Sequence, residues 1–484
     1  MEYFTKPIGL FSPAPDLLKN APSLIKMKER FPRYIGRAEK TQIFSRALAR
    51  DIILPKALEV DTKSSKDPRY VDWDLWRQIN RTKATIGYIP EKLGGLGWSG
   101  LDAFVFLEEC ITACTGISAF FGFNFFGVLC AFVEFQPDVC LKVIREMVEA
   151  HRNEKPVFWA WSITEPSAGT DVEDGRAMAT MKCSAHARKV SGGYIINGTK
   201  QFCSNGSLAH YLVVTVCTNR ADPLNTMATF LVPAASAGFS VGRIERKCGQ
   251  KGSHTAELFF DNVFVPDENL WEPPGRGLRH TREILSVTRG IIGMLGVGIA
   301  RGALERCIQF ACIKKVRGHY LIEENWVQIA IADMLTEIMA VRAKCYDFAI
   351  ALDTIHVLRI LENLPVKTLL RVVPEKLIMG ESVQALLRNK SLARAVKALK
   401  DWIVSDERVE YCACQGSSIK VTGTDLAMDI ASRVLDIVGI EGMAYCYGME
   451  KSFRDAKGAQ IYEGTNQANR LDVFHHEVGR GLGI

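Results

Sequence analysis

Apolar positions recur with a helical period from Thr41 onward, where QIFSRALARDIILPKAL predicts an amphipathic helix ended near Pro55. Residues 1–39 are proline-broken and mixed, and they form an N-terminal extension without a fold assignment. Residues 85–100 end in GGLGWSG, a turn-rich connection whose glycines lack the spacing of a dinucleotide-binding loop. The run ISAFFGFNFFGVLCAFV at 117–133 is the most apolar in the chain and approaches the length needed to cross a bilayer. Asn124 in its middle, Glu134 at its end, the Glu108-Glu109 pair upstream and the lack of flanking basic clusters favour a buried core helix instead.

Near residue 156 the period changes to alternation. Short strand-like runs follow at 213–217, 229–232, 239–244 and 258–265, separated by Asn, Gly, Pro and Asp clusters. Asn197-Gly198 reads as the turn of a hairpin joining YII to TKQFC. The same segment spells G-x-x-x-x-G-T-K, but its lysine follows the threonine and its setting is strand-turn-strand, so it is not a phosphate loop. After Pro273-Pro274-Gly275 the pattern is helical again. A helix is predicted over 280–313, with glycines in GIIGMLGVGIARGA that allow close helix approach, a second over 326–356, and a third over 424–438. The fold class is α+β, with a helical domain at 40–155, a small β domain at 156–275 and a helical domain at 276–484.

With 484 residues, 48% of them hydrophobic, the chain can bury the cores of two or three domains. The net charge of +6 is mild and gives no reason to expect nucleic acid. Fourteen cysteines occur without a CxxC pair, which indicates free thiols in a reducing compartment. No two-histidine metal motif is present, and His475-His476 point about 100° apart on a helix, so no metal is expected. The start MEYFTKPIGLFSPAPDLLKN carries prolines and acids where a secretory core would lie, and it lacks the look of a transit peptide. A cytoplasmic location is therefore expected.

The chemistry concentrates in RDAKGAQIYEGTNQAN, Arg454 to Asn469. Thr465 or Asn466 can cap a following helix whose Leu471, Val473, Phe474 and Val478 are spaced for burial on one side. Glu463 is presented by a glycine-containing turn beside apolar residues, a setting that raises a carboxylate pKa and suits a general base. The alternative is a carboxylate that merely offsets the dipole of the next helix.

IYEGTNQ preceded by RDAK resembles the C-terminal signature of the acyl-CoA dehydrogenases, and TEPSAGTDV, YIINGTKQFCSNG and FFDNVFVP resemble three further signatures of that family, in order. The resemblance implies an acyl-CoA dehydrogenase-like fold, with a middle β-barrel or sandwich and a C-terminal four-helix bundle interrupted by an insertion at 357–412. The insertion's basic series Arg388, Lys390, Arg394, Lys397 and Lys400 reads as a solvated face. It also implies FAD as cofactor, an acyl-CoA substrate, Glu463 as α-proton base, and a thioester carbonyl polarised by the Glu463 N–H and a flavin ribityl hydroxyl.

By resemblance, Trp161, Ile163 and Thr164 border the flavin ring, with Phe202 and Ser204 where members have tryptophan and threonine. Thr465 and Gln467 reach the flavin from the base loop. Thr170, Ser286, Arg289, Tyr462 and Gly464 fall on the substrate side. The phenylalanines 120, 121, 123, 125 and 126 would make the acyl end of the pocket aromatic, suggesting a small, cyclic or aromatic acyl group. Some members carry the base on the helix matching 285–289. Ser286, Val287 and Thr288 cannot serve, which leaves Glu463.

The family's pyrophosphate arginine motif aligns with Lys314-Lys315-Val316-Arg317-Gly318, and its glycine loop with Asp436-Ile437-Val438-Gly439-Ile440. Asp436 then needs a cation, with Arg317 and Lys314 the candidates. Implied partners are an electron-transfer flavoprotein and further copies of the chain, as a homodimer or homotetramer. The alternatives are a non-catalytic interaction protein of the same fold and a flavin enzyme that acts on a non-CoA substrate or uses oxygen.

Overall fold

The computed structural model describes residues 16–134, 136–169, 183–356, 372–378, 380–387 and 389–482. After a short helical turn at Leu17–Asn20 come helices α1 (Ser23–Arg30) and α2 (Pro32–Leu48), so helical structure begins before Thr41. The predicted stop at Pro55 is not a stop. A π-helical turn (Ala49–Ile53) and a short 3-10 turn (Leu54–Lys56) carry the chain into α3 (Ala57–Lys66). Pro55 sits in the first turn of that 3-10 segment, where its missing N–H leaves no bond unmade.

Helix α4 (Trp73–Arg81) follows, and α5 (Gly100–Ala113) starts with a Ser99–Asp102 capping box. The apolar run is two buried helices, α6 (Thr115–Gly122) and α7 (Asn124–Glu134), each too short to cross a bilayer. Asn124 marks the break for a reason: its Nδ2 donates to Val157 O at 3.2 Å and its Oδ1 accepts from Trp159 N at 2.6 Å, tying α7 to the first strand. Helix α8 (Pro137–Arg152) completes the domain.

Glu108 and Glu109 are buried by pairing. Arg301 donates to Glu108 at 2.9 Å and lies 3.0 Å from Glu109, while Arg342 and Tyr346 also reach Glu108 and Arg46 reaches Glu109. Such a network is tolerable only because each charge has partners, and it joins the N-terminal helices to the C-terminal ones.

The β domain holds β1 (Trp159–Ser162), β2 (His186–Val190), β3 (Gly193–Ser204), β4 (Tyr211–Cys217), β5 (Met227–Pro233), β6 (Phe239–Ile244), β7 (Thr255–Pro266) and β8 (Leu270–Glu272). Their order is β6-β7-β3-β2-β4-β5-β8, with β1 parallel to β4. Asn197-Gly198 is not a hairpin turn. Strand β3 runs straight through it with a bulge against β7, and the hairpin closes instead between Val190 and Gly193. At the bulge Asn197 Oδ1 accepts from Asn262 N at 2.9 Å, and Gly198 has φ +125°, where a side chain would meet Ser184 O.

The C-terminal domain comprises α9 (Gly277–Ile313), α10 (Asn325–Ile355), α11 (Lys390–Ile403), α12 (Asp406–Gly442), α13 (Met449–Ala459) and α14 (Asn466–Phe474). Helices α9, α10, α12 and α13 form the bundle, and α9 meets α12 glycine to glycine: a Cβ on Gly296 would lie 2.2 Å from Gly423 O.

Two expectations fail here. The helix that carries the basic series, α11, does not present all its cations to solvent: Lys397 bridges Glu134 and Glu272 at 2.9 and 3.0 Å, and buried Lys400 holds Glu283 at 2.6 Å. Those buried acids come from all three domains, and nothing in the charge run itself reveals them. In α14 and just beyond it, Leu471, Phe474 and Val478 face solvent, while α14 buries Asn466 and Asn469. Polar contacts to the base loop orient that helix, not its apolar stripe.

Candidate active site

Glu463 sits in the loop between α13 and α14. Its φ is +56° and that of Gly464 is +77°, two consecutive left-handed residues that reverse the chain. Thr465 caps α14, its Oγ1 accepting from Ala468 N at 3.3 Å. Asn469 Nδ2 reaches back to Gly464 O and Thr465 O, both at 2.9 Å. The turn is thus fixed from its C-terminal side.

One oxygen of the half-buried Glu463 carboxylate accepts a 2.6 Å hydrogen bond from Thr288 Oγ1. Burial pushes the Glu463 pKa above the ordinary carboxylate value, opposed by the Thr288 bond and by the Arg289 and Lys420 cations. The group is therefore a stronger proton acceptor than a free carboxylate while remaining ionisable.

Between α5–α7 and α9 lies a mostly apolar cavity, partly open to solvent. Phe121, Phe123, Phe125 and Phe126 line it, with Tyr88 and Ile291 among the others. Phe120 does not; it packs against Trp73 and Phe158 on the far side of α6. The Phe123 ring meets Tyr462 edge-on at 5.9 Å, and Ile291 is one turn beyond Thr288, so two lining residues adjoin the neighbours of the carboxylate, although Glu463 and Thr288 do not themselves line the cavity.

The substrate-side candidates divide. Thr170 lies outside the described residues. Tyr462 donates to Gln250 Oε1 at 3.2 Å, and Gly464 offers its carbonyl to Lys420 at 2.7 Å. Ser286 and Arg289 are fully buried against protein. Ser286 bonds Glu283 O and His356 at 2.6 and 2.8 Å, and Arg289 bonds Ser417 and Asp472 at 2.9 and 3.1 Å. In this conformation neither presents its side chain to the cavity.

The flavin-ring candidates do converge. Thr164 O accepts from Gln201 N at 2.8 Å, Ile163 O from Lys200 Nζ at 2.7 Å and Trp161 O from Cys203 Sγ at 3.2 Å, binding β1 and the segment after it to β3. Phe202 stands 55% exposed with φ +54°, and the buried Trp161 Nε1 has no hydrogen-bond partner. An accessible ring beside an unmet donor suits a planar heteroaromatic group that carries acceptors, so these residues fit a flavin. Thr465 is engaged in its cap, while Gln467 is exposed on the next turn.

The pyrophosphate candidates lie elsewhere. Lys314 pairs with Glu441 and not with Asp436, which is exposed, and Arg317-Gly318 forms the tip of a small hairpin (Lys315–Val316 with His319–Tyr320), both residues left-handed. Gly439, at φ +59°, makes the kink in α12.

Sequence reasoning missed Thr288, set aside as unable to be the base, and Lys420, the single lysine of a long helix. Neither role has a local signal: each depends on a contact with residues far along the chain. Cys414, His476 and Glu477 approach one another closely enough to share an ion, but Glu477 Oε1 is already 3.3 Å from the Cys414 thiol and 3.2 Å from the His476 ring.

Three profiles of one family cover the chain in order: acyl-CoA dehydrogenase N-terminal domain over residues 39–135, middle domain over 160–263, and C-terminal domain over 275–365 and 391–476. The chain belongs to the acyl-CoA dehydrogenase family, FAD-dependent oxidoreductases. It is 28% identical over 426 residues to cyclohex-1-ene-1-carbonyl-CoA dehydrogenase of Syntrophus aciditrophicus, covering 88% of this chain and 86% of that one. It is 28% identical over 430 residues to cyclohexane-1-carbonyl-CoA dehydrogenase of Geobacter metallireducens, covering 88% and 94%. In fold it matches butyryl-CoA dehydrogenase of Megasphaera elsdenii with a TM-score of 0.69 at 21% identity, over 93% of this chain and 98% of that one.

Proposed function

We propose that the protein oxidises, or in the reverse direction reduces, the α,β bond of a cyclic or aromatic acyl-CoA, with Glu463 as the base. The observation that carries this is the Glu463 carboxylate, held by Thr288 at 2.6 Å, in a loop whose Tyr462 packs on Phe123 of a phenylalanine-lined cavity. A carboxylate raised by burial takes the α-proton, and the Thr288 hydroxyl keeps the oxygen it contacts pointed at one place. Rigid aromatic walls favour a compact ring over a long flexible chain, and two relatives are named for cyclic acyl-CoA substrates. FAD, held by Trp161, Thr164, Phe202 and Ser204, would supply the acceptor for the β-hydride.

Electrons pass on to an electron-transfer flavoprotein in this reading. The chain works in the cytoplasm as a homodimer or homotetramer; apolar side chains left open on one copy, among them Ile440, Trp326 and Ile329, favour such an assembly. Fourteen free cysteines suit a reducing compartment. The test is turnover on cyclohexane-1-carbonyl-CoA against C12 to C16 acyl-CoA, with the natural acceptor class and with oxygen. The cyclic substrate should win by about tenfold or more; clear preference for the long chain rejects the substrate class, and turnover that needs only oxygen rejects the acceptor.

A further inference from the structure

Helix α12 places Lys420 directly beneath the base loop, fully removed from solvent. Its Nζ donates to Asn466 Oδ1 at 2.6 Å, to Gly464 O at 2.7 Å and to Gln460 O at 3.2 Å. An ammonium has three protons, and all three acceptors belong to residues 460–466. The acceptors are themselves fixed. Asn466 Nδ2 donates to Thr424 Oγ1 at 2.9 Å and to Asp425 Oδ1 at 2.7 Å, which settles where its oxygen points, and Gln460 Nε2 also reaches Asp425 Oδ1 at 2.7 Å.

The loop has something to be held against. Glu463 is a non-glycine residue in the left-handed region, a conformation that persists only where the surroundings impose it. The reversal leaves loop carbonyls aimed into the protein, where an unmet acceptor is costly. One buried cation satisfies them together.

We propose that Lys420 is a positioning residue of the active site: its ammonium pins the left-handed turn that aims the Glu463 carboxylate at Thr288, and it sets a positive charge beneath the turn that carries that carboxylate. The second half rests on the reading of Glu463 as base; the first does not.

The charged groups facing Lys420 come from every element packed on it: Arg289 of α9, Glu463 of the loop, Asp425 of its own helix and Arg470 of α14. Burial, with Arg289 next, brings Lys420 down to about 7 against the pull of Glu463 and Asp425. A lysine so placed is engaged in local electrostatics, not parked in the core. The Glu463 carboxylate in turn faces Thr288, Arg289 and Lys420.

The test uses the flavin-loaded full chain with Lys420→Met, Lys420→Arg and, as reference, Glu463→Gln. Hydrogen exchange of peptides covering 456–470, read at fixed pH, needs no turnover. The pH profile of kcat/KM on cyclohexane-1-carbonyl-CoA reads the base. In Lys420→Met, exchange over 460–466 should rise while the rest of α12 stays protected, and kcat should fall by about 100-fold through misplacement of the base.

The acid limb should also move to higher pH by about one pH unit, because the cation that favoured the carboxylate is gone. Lys420→Arg keeps the charge but its planar fork cannot serve three acceptors around one point, so exchange should rise with the acid limb where it was. Wild-type exchange and an unmoved limb in Lys420→Met overturn the proposal. Where the methionine variant does not fold, an arginine variant whose limb moves upward overturns the role of the charge. If Glu463→Gln turns over normally while Lys420→Met loosens the loop, the base assignment falls and the pin stands.

Discussion

Around Glu463 the protein holds nearly every polar group it presents: Thr288 holds the carboxylate, Lys420 the loop carbonyls, and Asn469 the carbonyls on the helix side. At Lys314, Arg317, Asp436 and Gly439 the situation is the opposite. Lys314 turns to Glu441, Arg317 occupies a hairpin tip, Asp436 faces solvent, and the neighbouring Ile440 is 92% exposed. One region is finished within a single chain, and the other is a surface. The first region is closed by this chain's own residues, whereas the second, with Ile440 and the hairpin exposed, is left open on a single copy.

The comparison breaks first at the base. Glu463→Gln should lower kcat by about 1,000-fold, in keeping with loss of a general base, without loss of flavin; stopped-flow reduction of the enzyme by substrate reads it directly. A smaller effect is expected one atom away. Thr288→Val removes a hydrogen bond to a charged group, about 1.5–3 kcal/mol, so kcat/KM should drop by about tenfold or more. Its acid limb should rise, since the lost bond had favoured the carboxylate.

The surface region should respond differently. Ile440→Asp should shift the mass seen by light scattering toward single chains and weaken FAD binding by about tenfold, with kcat at saturating FAD little changed. A drop in kcat alone would erase the distinction between the two regions.

The smallest effect is on stability. Burial raises the Glu463 pKa above its unfolded value, so its favourable contribution is complete below the ordinary carboxylate range and is lost as pH rises through the raised folded value. Above that raised value the ionised carboxylate is therefore a burden. Glu463→Gln should melt slightly higher than wild type there, on the order of 1 °C, with the advantage gone in acid.

How far these features could be read from the sequence depends on how local their cause is. The helix period, the β alternation and the YEGT turn are local, and they marked out α9, α10, most strands and Glu463. Asn197-Gly198 has strong turn chemistry, yet the strand continues because Asn262 takes up its side chain. Pro55 is a helix breaker whose damage a 3-10 turn absorbs. The lysines of α11 looked solvated because their partners Glu134, Glu272 and Glu283 lie far away in the chain. Lys420 has no local signal for the same reason, and the partners of Ser286 and Arg289, on the substrate side by resemblance, are equally remote in the chain: His356, Ser417 and Asp472.

The measurement that bears most directly on the central claim is the anaerobic visible spectrum of the flavin-loaded protein during titration with cyclohexane-1-carbonyl-CoA. The flavin band should bleach in wild type and persist in Glu463→Gln under the same conditions. Bleaching of equal rate and extent in both would contradict it, because the proton would then be leaving without Glu463.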